Sequence, residues 1–290
     1  MTRAMEAVSA VKMRKSQNLA LTARPYALAA LYILKELRGR LEETENLSPL
    51  LKKEMTGRHA VVIITSDKGL AGAFNSQVIR AAEKFIKEKG PETKVIAIGK
   101  KGRDYFRRRY SVVHEFLGSG DFGTLEEVRP ISEYIQNYFT GEKIESLTLI
   151  YTNFLSALRQ ETTVRTLLPL EVKTLEEIVR GIVPLRGKYA NMPEAISLDT
   201  ENGSTLLFEP SAVTLLTSLL PKLIEIEILH AVLEANASEH SARMMAMKSA
   251  SDNASDLILN LTVLYNKARQ AAITKELGEI TAGKEALNNS

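Results

Sequence analysis

The turn Thr-Ser-Asp-Lys-Gly-Leu-Ala-Gly-Ala-Phe-Asn, residues 65–75, is where this sequence comes nearest to a phosphate cradle. Such turns aim backbone N–H groups at an anion, which requires glycines at fixed positions. Here Gly69 and Gly72 stand alone with Lys68 before them, so neither the P-loop spacing nor the three-glycine dinucleotide spacing is met. A structural turn or a partner contact is the reading that remains. No Gly-x-Ser-x-Gly elbow is present for a hydrolase. His59, His114, His230 and His240 are scattered; His230 and Glu234 would share a helix face, but two ligands do not close a metal site. The carboxylate pairs Glu126–Glu127 and Glu176–Glu177 are adjacent, so their members point to different faces of a helix and are expected to be solvated. The chain has no cysteine, which excludes a disulfide framework, a thiolate zinc site and a cysteine nucleophile. No convergent catalytic set emerges, and no catalytic residue, cofactor or metal is expected. Such a chain transmits or organises.

The elements around these residues fall into three regions. From Arg3 to about Lys53 the residues are good helix formers, and Tyr26, Ala30, Ile33, Leu37 and Leu41 step by 4, 3, 4 and 4. Pro25 interrupts this run and predicts a kink or local adjustment near residues 23–26. From His59 the period becomes strand-like. Strands are expected at 59–65, 94–98, 111–116 and 146–153, with a further one at 163–170 and an edge strand at 205–208. Helices are expected at 75–88, 101–109 and 125–139, and the alternation predicts a parallel, three-layer α/β body. From Ser211 to about Ala286 helical periodicity returns, broken only by Pro221, for a rod on the order of 100 Å. Leu257, Leu261, Leu264, Ala268 and Ala271 step by 4, 3, 4 and 3, the spacing of a coiled-coil seam. A helix of this length must project from a body roughly 30 to 40 Å across. Its economical partner is the N-terminal helix in an antiparallel coiled coil; membership of an unrelated bundle is the alternative. The three regions are 1–55, 56–210 and 211–290.

Composition narrows the field further. The 290 residues are 25% charged and 44% hydrophobic, a folded composition. With no Trp and 6% aromatic residues, a stacking platform for nucleic acid or sugar is not expected. The longest stretch without a charge, Ser146 to Leu158, is 13 residues, short of the roughly 18 to 20 that span a bilayer. The net charge of +3 hides an asymmetry: residues 1–40 hold eight Lys and Arg against two Glu, leaving the rest at −3. That arm is either a solvated helix face or an electrostatic footprint for an acidic partner.

Four stretches carry a resemblance. Residues 2–17 (Thr-Arg-Ala-Met-Glu-Ala-Val-Ser-Ala-Val-Lys-Met-Arg-Lys-Ser-Gln), the turn 66–75, residues 237–250 (Ala-Ser-Glu-His-Ser-Ala-Arg-Met-Met-Ala-Met-Lys-Ser-Ala) and residues 265–277 (Tyr-Asn-Lys-Ala-Arg-Gln-Ala-Ala-Ile-Thr-Lys-Glu-Leu) closely resemble the gamma subunits of bacterial F-type ATP synthases, with similarity over essentially the whole chain. The resemblance implies a Rossmann-like α/β body with two terminal helices forming an asymmetric shaft. That shaft would stand inside a ring of three alpha and three beta subunits, with the body against the epsilon subunit and the membrane c-ring. Ion flow would turn it, driving the beta subunits through their conformations for ATP synthesis. It implies a non-catalytic subunit, peripheral on the cytoplasmic face of the bacterial cell membrane through the complex, with no nucleic-acid partner.

By motif, the resemblance places Met5 opposite the beta lever region. It makes Arg243 a cation that pairs with a beta carboxylate, and Arg269 with Gln270 an upper catch on a beta loop, with Thr274 and Glu276 in the same segment. A guanidinium fork can hold a carboxylate bidentately where an ammonium cannot. The family's N-terminal helix begins some residues earlier, so Met1 implies a start assigned too late or a shortened shaft; the turn also has Ala71 and Ala73 where the family often has Cys and Gly. Two other readings remain at this point: an α/β enzyme dimerised through helical arms, and a coiled-coil nucleic-acid adaptor using the basic arm.

Overall fold

A computed structural model describes residues 1–38, 48–52, 55–118, 123–170 and 211–288, of which 23–38, 212–213, 216 and 285–288 enter through their backbone alone. The expected edge strand at 205–208, the pair Glu176–Glu177 and the side chains of the Tyr26–Leu41 series lie outside the described residues.

Among the described residues ten elements run in the order α1 (Thr2–Arg38), β1 (His59–Ile64), α2 (Phe74–Lys89), β2 (Lys94–Ile98), α3 (Lys100–Phe106), β3 (Val112–Phe116), α4 (Leu125–Gly141), β4 (Ser146–Phe154), β5 (Gln160–Leu168) and α5 (Ala212–Asn288). Helical backbone continues through Pro25 in α1 and through Pro221 in α5. The five strands form one sheet in the order β3-β2-β1-β4-β5.

Four of these strands are parallel, as the alternation with helices predicts, but β5 runs antiparallel to β4. The expected wholly parallel sheet is therefore corrected to a mixed one. The reason is connection length: only residues 155–159 separate β4 from β5, enough for a hairpin and too few for a crossover. That hairpin closes on itself, Arg159 donating its N–H to the Ser156 carbonyl at 3.2 Å and to its hydroxyl at 3.0 Å.

Residue alternation along the central strands divides the core in two. Val61, Ile63, Val95, Ala97 and Ile150 face Val78, Ala82, Phe85, Ile86 and Phe106, so α2 and α3 cover one side of the sheet. Ala60, Val62, Ile64, Ile96, Ile98, Leu147, Leu149 and Tyr151 belong to the other core, with α4, the first part of α5 and Ala20 of α1. Strands buried on both faces read as unbroken apolar runs, which is why His-Ala-Val-Val-Ile-Ile stands out in the sequence. At the head of α4, Thr124 and Glu127 form a capping box. The Glu127 carboxylate accepts from Gly123 N–H at 2.8 Å and Thr124 N–H at 3.0 Å, and these bonds hold it below the usual carboxylate range. Glu127 thus has a structural task that adjacency to Glu126 does not reveal.

The α5 helix has two halves. From Leu220 to Ser251 most residues are buried or half-buried against the body and α1; from Asp252 to Lys284 every residue is exposed. That second half is 33 residues, about 50 Å of helix. The predicted seam residues Leu257, Leu261 and Leu264 lie on it, 56 to 62% exposed. The described α1 meets α5 closer to the body, burying Ser9, Met13, Ser16 and Ala20, a 4-3-4 series of its own.

Candidate functional site

The most informative cavity lies at the carboxyl ends of β1, β2 and β3, where ligands of open α/β sheets usually sit. It encloses about 750 Å³. Its floor is residues 67–70 and Lys100, Leu117 and Gly118 complete one side, and the long helices close the other with Met5, Val8, Ser9 and Lys12 of α1 and Glu239, His240 and Arg243 of α5.

The floor is the glycine-containing turn, and its own polar groups fix it. Ser66 N–H donates to Asn75 Oδ1 at 2.9 Å, and Asn75 Nδ2 donates to Ser66 Oγ at 2.7 Å. Asp67 accepts from Lys100 N–H and Gly118 N–H, each at 3.0 Å, tying the turn to the loops after β2 and β3. Thr65 Oγ1 accepts from Gly102 N–H at 2.9 Å. Leu70 adopts a left-handed backbone at φ 63° and stands 60% exposed. The side chains of Thr65, Ser66, Asp67 and Asn75 thus tie the turn to itself and to the neighbouring loops. The motif is a rigid shelf presenting Lys68 and Leu70.

Arg243 locks that shelf to the helix. Its guanidinium bonds Glu239 Oε1 at 2.6 Å one helical turn away, donates from Nε to the Gly69 carbonyl at 3.2 Å and from Nη2 to the Lys68 carbonyl at 3.4 Å, and lies 3.3 Å from His240 Nδ1. Only 6% of Arg243 is exposed. A planar fork can serve a carboxylate and two carbonyls at once, which an ammonium on a flexible stem cannot do in the same geometry. Met5 is half-buried on the opposite wall. The structure therefore brings Met5 and Arg243 together, and it places Arg269, Gln270, Thr274 and Glu276 elsewhere, all exposed on the free half of α5. Twenty-six residues separate Arg243 from Arg269, roughly 39 Å of helix. There Thr274 Oγ1 bonds back to the Gln270 carbonyl at 2.9 Å.

Behind the cavity, α5 is joined to the sheet by polar groups. Glu234 Oε2 accepts from Phe154 N–H at 2.9 Å and its other oxygen lies 3.5 Å from His230 Nε2; Ser238 and Ser241 donate to the carbonyls of Thr152 and Ala157 at 3.2 and 2.8 Å. Among the described residues, Glu227, 3% exposed, has no hydrogen bond to either oxygen, and Arg165 Nη1 lies 3.9 Å away. Burial outweighs that attraction and pushes its carboxyl up to about 8. The sequence offers little to find Glu227 by, since it sits in a helical run where apolar and polar residues are buried alike.

A family model described as ATP synthase matches residues 1–287. The ATP synthase gamma chain of Pelotomaculum thermopropionicum is 41% identical over 292 aligned residues, covering 99% of this chain and 93% of that one. That of Trichlorobacter lovleyi is 37% identical over 289, covering 99% and 92%. The chain belongs to the ATP synthase gamma chain family. Its fold is also that of a chain in the central stalk and c-ring structure of Tetrahymena thermophila mitochondrial ATP synthase, with a TM-score of 0.60 at 22% identity over 86% of this chain and 99% of that chain. A chain in the Euglena gracilis mitochondrial ATP synthase structure gives 0.54 at 17% identity, covering 97% and 94%. As a gamma chain, the protein is a non-catalytic subunit of the ATP synthase complex. Among the described residues no helix is long and apolar enough to cross a membrane.

Proposed function

We propose that this gamma chain is the rotor shaft of a bacterial F-type ATP synthase, carrying rotation of an ion-driven c-ring into conformational cycling of three beta subunits. The observation that carries this reading is the free half of α5. It presents Leu257, Ile258, Leu259, Leu261, Val263 and Leu264 to solvent at 56 to 67% exposure, far more apolar surface than an isolated helix leaves uncovered in water. A ring of alpha and beta subunits closed around residues 252–284 accounts for it. The helix pair is not three-fold symmetric, so each of three identical neighbours meets a different face and is biased by the difference in its contact free energy.

In this reading the cavity is the lower contact and residues 269–276 the upper. Met5 and the exposed Leu70 offer apolar contact, Lys68 and Lys100 offer charge, and Arg243 holds the surface in shape while facing a beta carboxylate. Arg269, Gln270, Thr274 and Glu276 form the catch on a beta loop. Segments 1–55 and 211–290 make the shaft and 56–210 the body, which meets epsilon and the c-ring on the cytoplasmic face of the membrane. A dimeric α/β enzyme is disfavoured because the chain belongs to a family of non-catalytic gamma subunits.

Reconstitution with alpha and beta subunits tests the reading. Stimulated ATP hydrolysis on adding this chain is expected, with Arg269→Glu lowering it or its coupling to ion flow. An unstimulated ring sinks the shaft assignment, and an unaffected Arg269→Glu complex sinks the catch.

A further inference from the structure

The outer helical layer, on the side of the sheet away from α5, carries a concentration of charge that the contacts above do not use. Residues 80–109 contain eleven Lys and Arg against four Asp and Glu, an excess of seven on a chain whose total excess is three. On α2 the buried face is Phe74, Val78, Ala82, Phe85 and Ile86, whereas Arg80, Lys84 and Lys87 step by 4 and 3 along the opposite, exposed face. The exposed run Arg107, Arg108 and Arg109 follows α3 directly. The two groups belong to one surface: Tyr105 Oη donates to Glu83 at 2.7 Å, joining α3 to α2, and the Arg109 guanidinium lies 4.4 Å over the Tyr105 ring. The acids do not cancel it. Glu83 accepts from Tyr105, Asp104 pairs with Arg103 at 2.8 Å, Glu88 reaches Lys84 only at 3.9 Å with both side chains well exposed, and the exposed Glu92 is the fourth against eleven cations.

What this face lacks indicates its partner. Among the described residues no large hydrophobic side chain is exposed between Leu70 and Leu117, so the surface has no apolar anchor of the kind that dominates protein–protein affinity. The ring of Tyr105 is covered by Arg109, which removes the stacking platform a single-stranded nucleic acid would use. A sheet of anionic headgroups needs neither feature, only several cations within a Debye length of it. We propose that the outer face of α2 and α3 is an electrostatic landing surface for an anionic lipid membrane, contacted through Arg80, Lys84, Lys87, Arg107, Arg108 and Arg109. The choice of a membrane rests on the rotor reading, which puts the body near a bilayer. A contact of this kind is screened, shallow and rapidly exchanging. It can bring an unassembled chain to the surface where its ring lies without fixing it there.

The experiment is co-sedimentation of the full chain with vesicles of phosphatidylcholine alone or mixed with phosphatidylglycerol. Binding to the mixed vesicles only, falling steeply with salt, is expected. Combined Lys84→Gln, Lys87→Gln, Arg107→Gln and Arg108→Gln should weaken it by about fivefold per charge removed, while Arg3→Gln, Arg14→Gln and Lys15→Gln in the basic arm leave it in place. In the unaltered chain, mixed vesicles should also shield Lys84 and Lys87 from amine acylation, a readout that does not depend on a variant folding. Equal binding by the outer-face variant, loss of binding in the arm variant, unshielded lysines, or preference for duplex DNA over mixed vesicles would each overturn the proposal. Stimulation of ATP hydrolysis in the detergent-solubilised ring should be the same for the outer-face variant and the unaltered chain. Failure of stimulation in both would instead strike the rotor reading.

Discussion

Glu227 and Arg243 lie four helical turns apart on α5 and illustrate two ways of burying charge. Arg243 is matched: a carboxylate and two carbonyls take its donors, so its charge stays and the turn at 67–70 is held in place. Glu227 is not matched, and its environment favours the neutral acid. A carboxyl raised from 4.5 to about 8 contributes stability that is complete below pH 4.5 and is lost as pH rises through about 8, because only the unfolded chain then sheds the proton freely. Glu227→Gln keeps the shape and removes the titration. Urea unfolding measured from pH 5 to 9 should therefore decline with pH in the unaltered chain and be flatter in the variant. Parallel declines would assign the dependence to groups other than Glu227. Neither role was legible in the sequence. Motif resemblance singled out Arg243 as a partner contact, but its inward bonds depend on a turn 174 residues away along the chain.

Among the elements, β1 to β4 and α2 were readable because each has a clean period: unbroken β-branched runs for buried strands, and a one-sided stripe for α2. The orientation of β5 is not legible because its apolar pattern starts at 163, whereas the strand starts at Gln160, and the connection therefore reads longer than it is. The close joint between β1, β2 and α3 was also invisible, although one residue marks it. Gly99 sits at φ 93°, and a Cβ there would come within 1.9 Å of the Thr65 carbonyl oxygen. Gly99→Ala should cost about 3 kcal/mol or more, since backbone and not a flexible side chain blocks it. Gly278→Ala, in open space on α5, should leave stability unchanged or raise it by up to about 1 kcal/mol. Denaturant midpoints of the two variants decide whether the distinction is real.

For the whole molecule, the sequence announced a projecting rod, and the described chain has one, but it divides α5 more sharply than periodicity could show. Hydrophobic spacing is similar on both sides of Ser251, and only tertiary packing distinguishes the buried half from the free one. A chain ending at residue 251 should keep the body's cooperative unfolding and midpoint, because residues 252–284 bury nothing against the described part of it. It should lose the capacity to stimulate an alpha–beta ring. A body that unfolds on truncation would show that the free half supports it. Average charge misled in the same way: an excess of seven in residues 80–109 and of six in residues 1–40 is offset by an excess of ten negative charges elsewhere, and the mean of the body concealed its basic face.

The continuity of α5 has a mechanical corollary. Beyond Pro221, which has no N–H to donate, one helix runs from the core of the body into the free rod, with no loop between them to slip. The foot is clamped by packing on two sides, so twist applied to the body is taken up beyond Ser251, where among the described residues nothing packs against the helix. Elastic compliance in this molecule is thereby concentrated in one stretch of about 50 Å. That stretch would act as a torsion spring between a rigid base and whatever grips the rod above it.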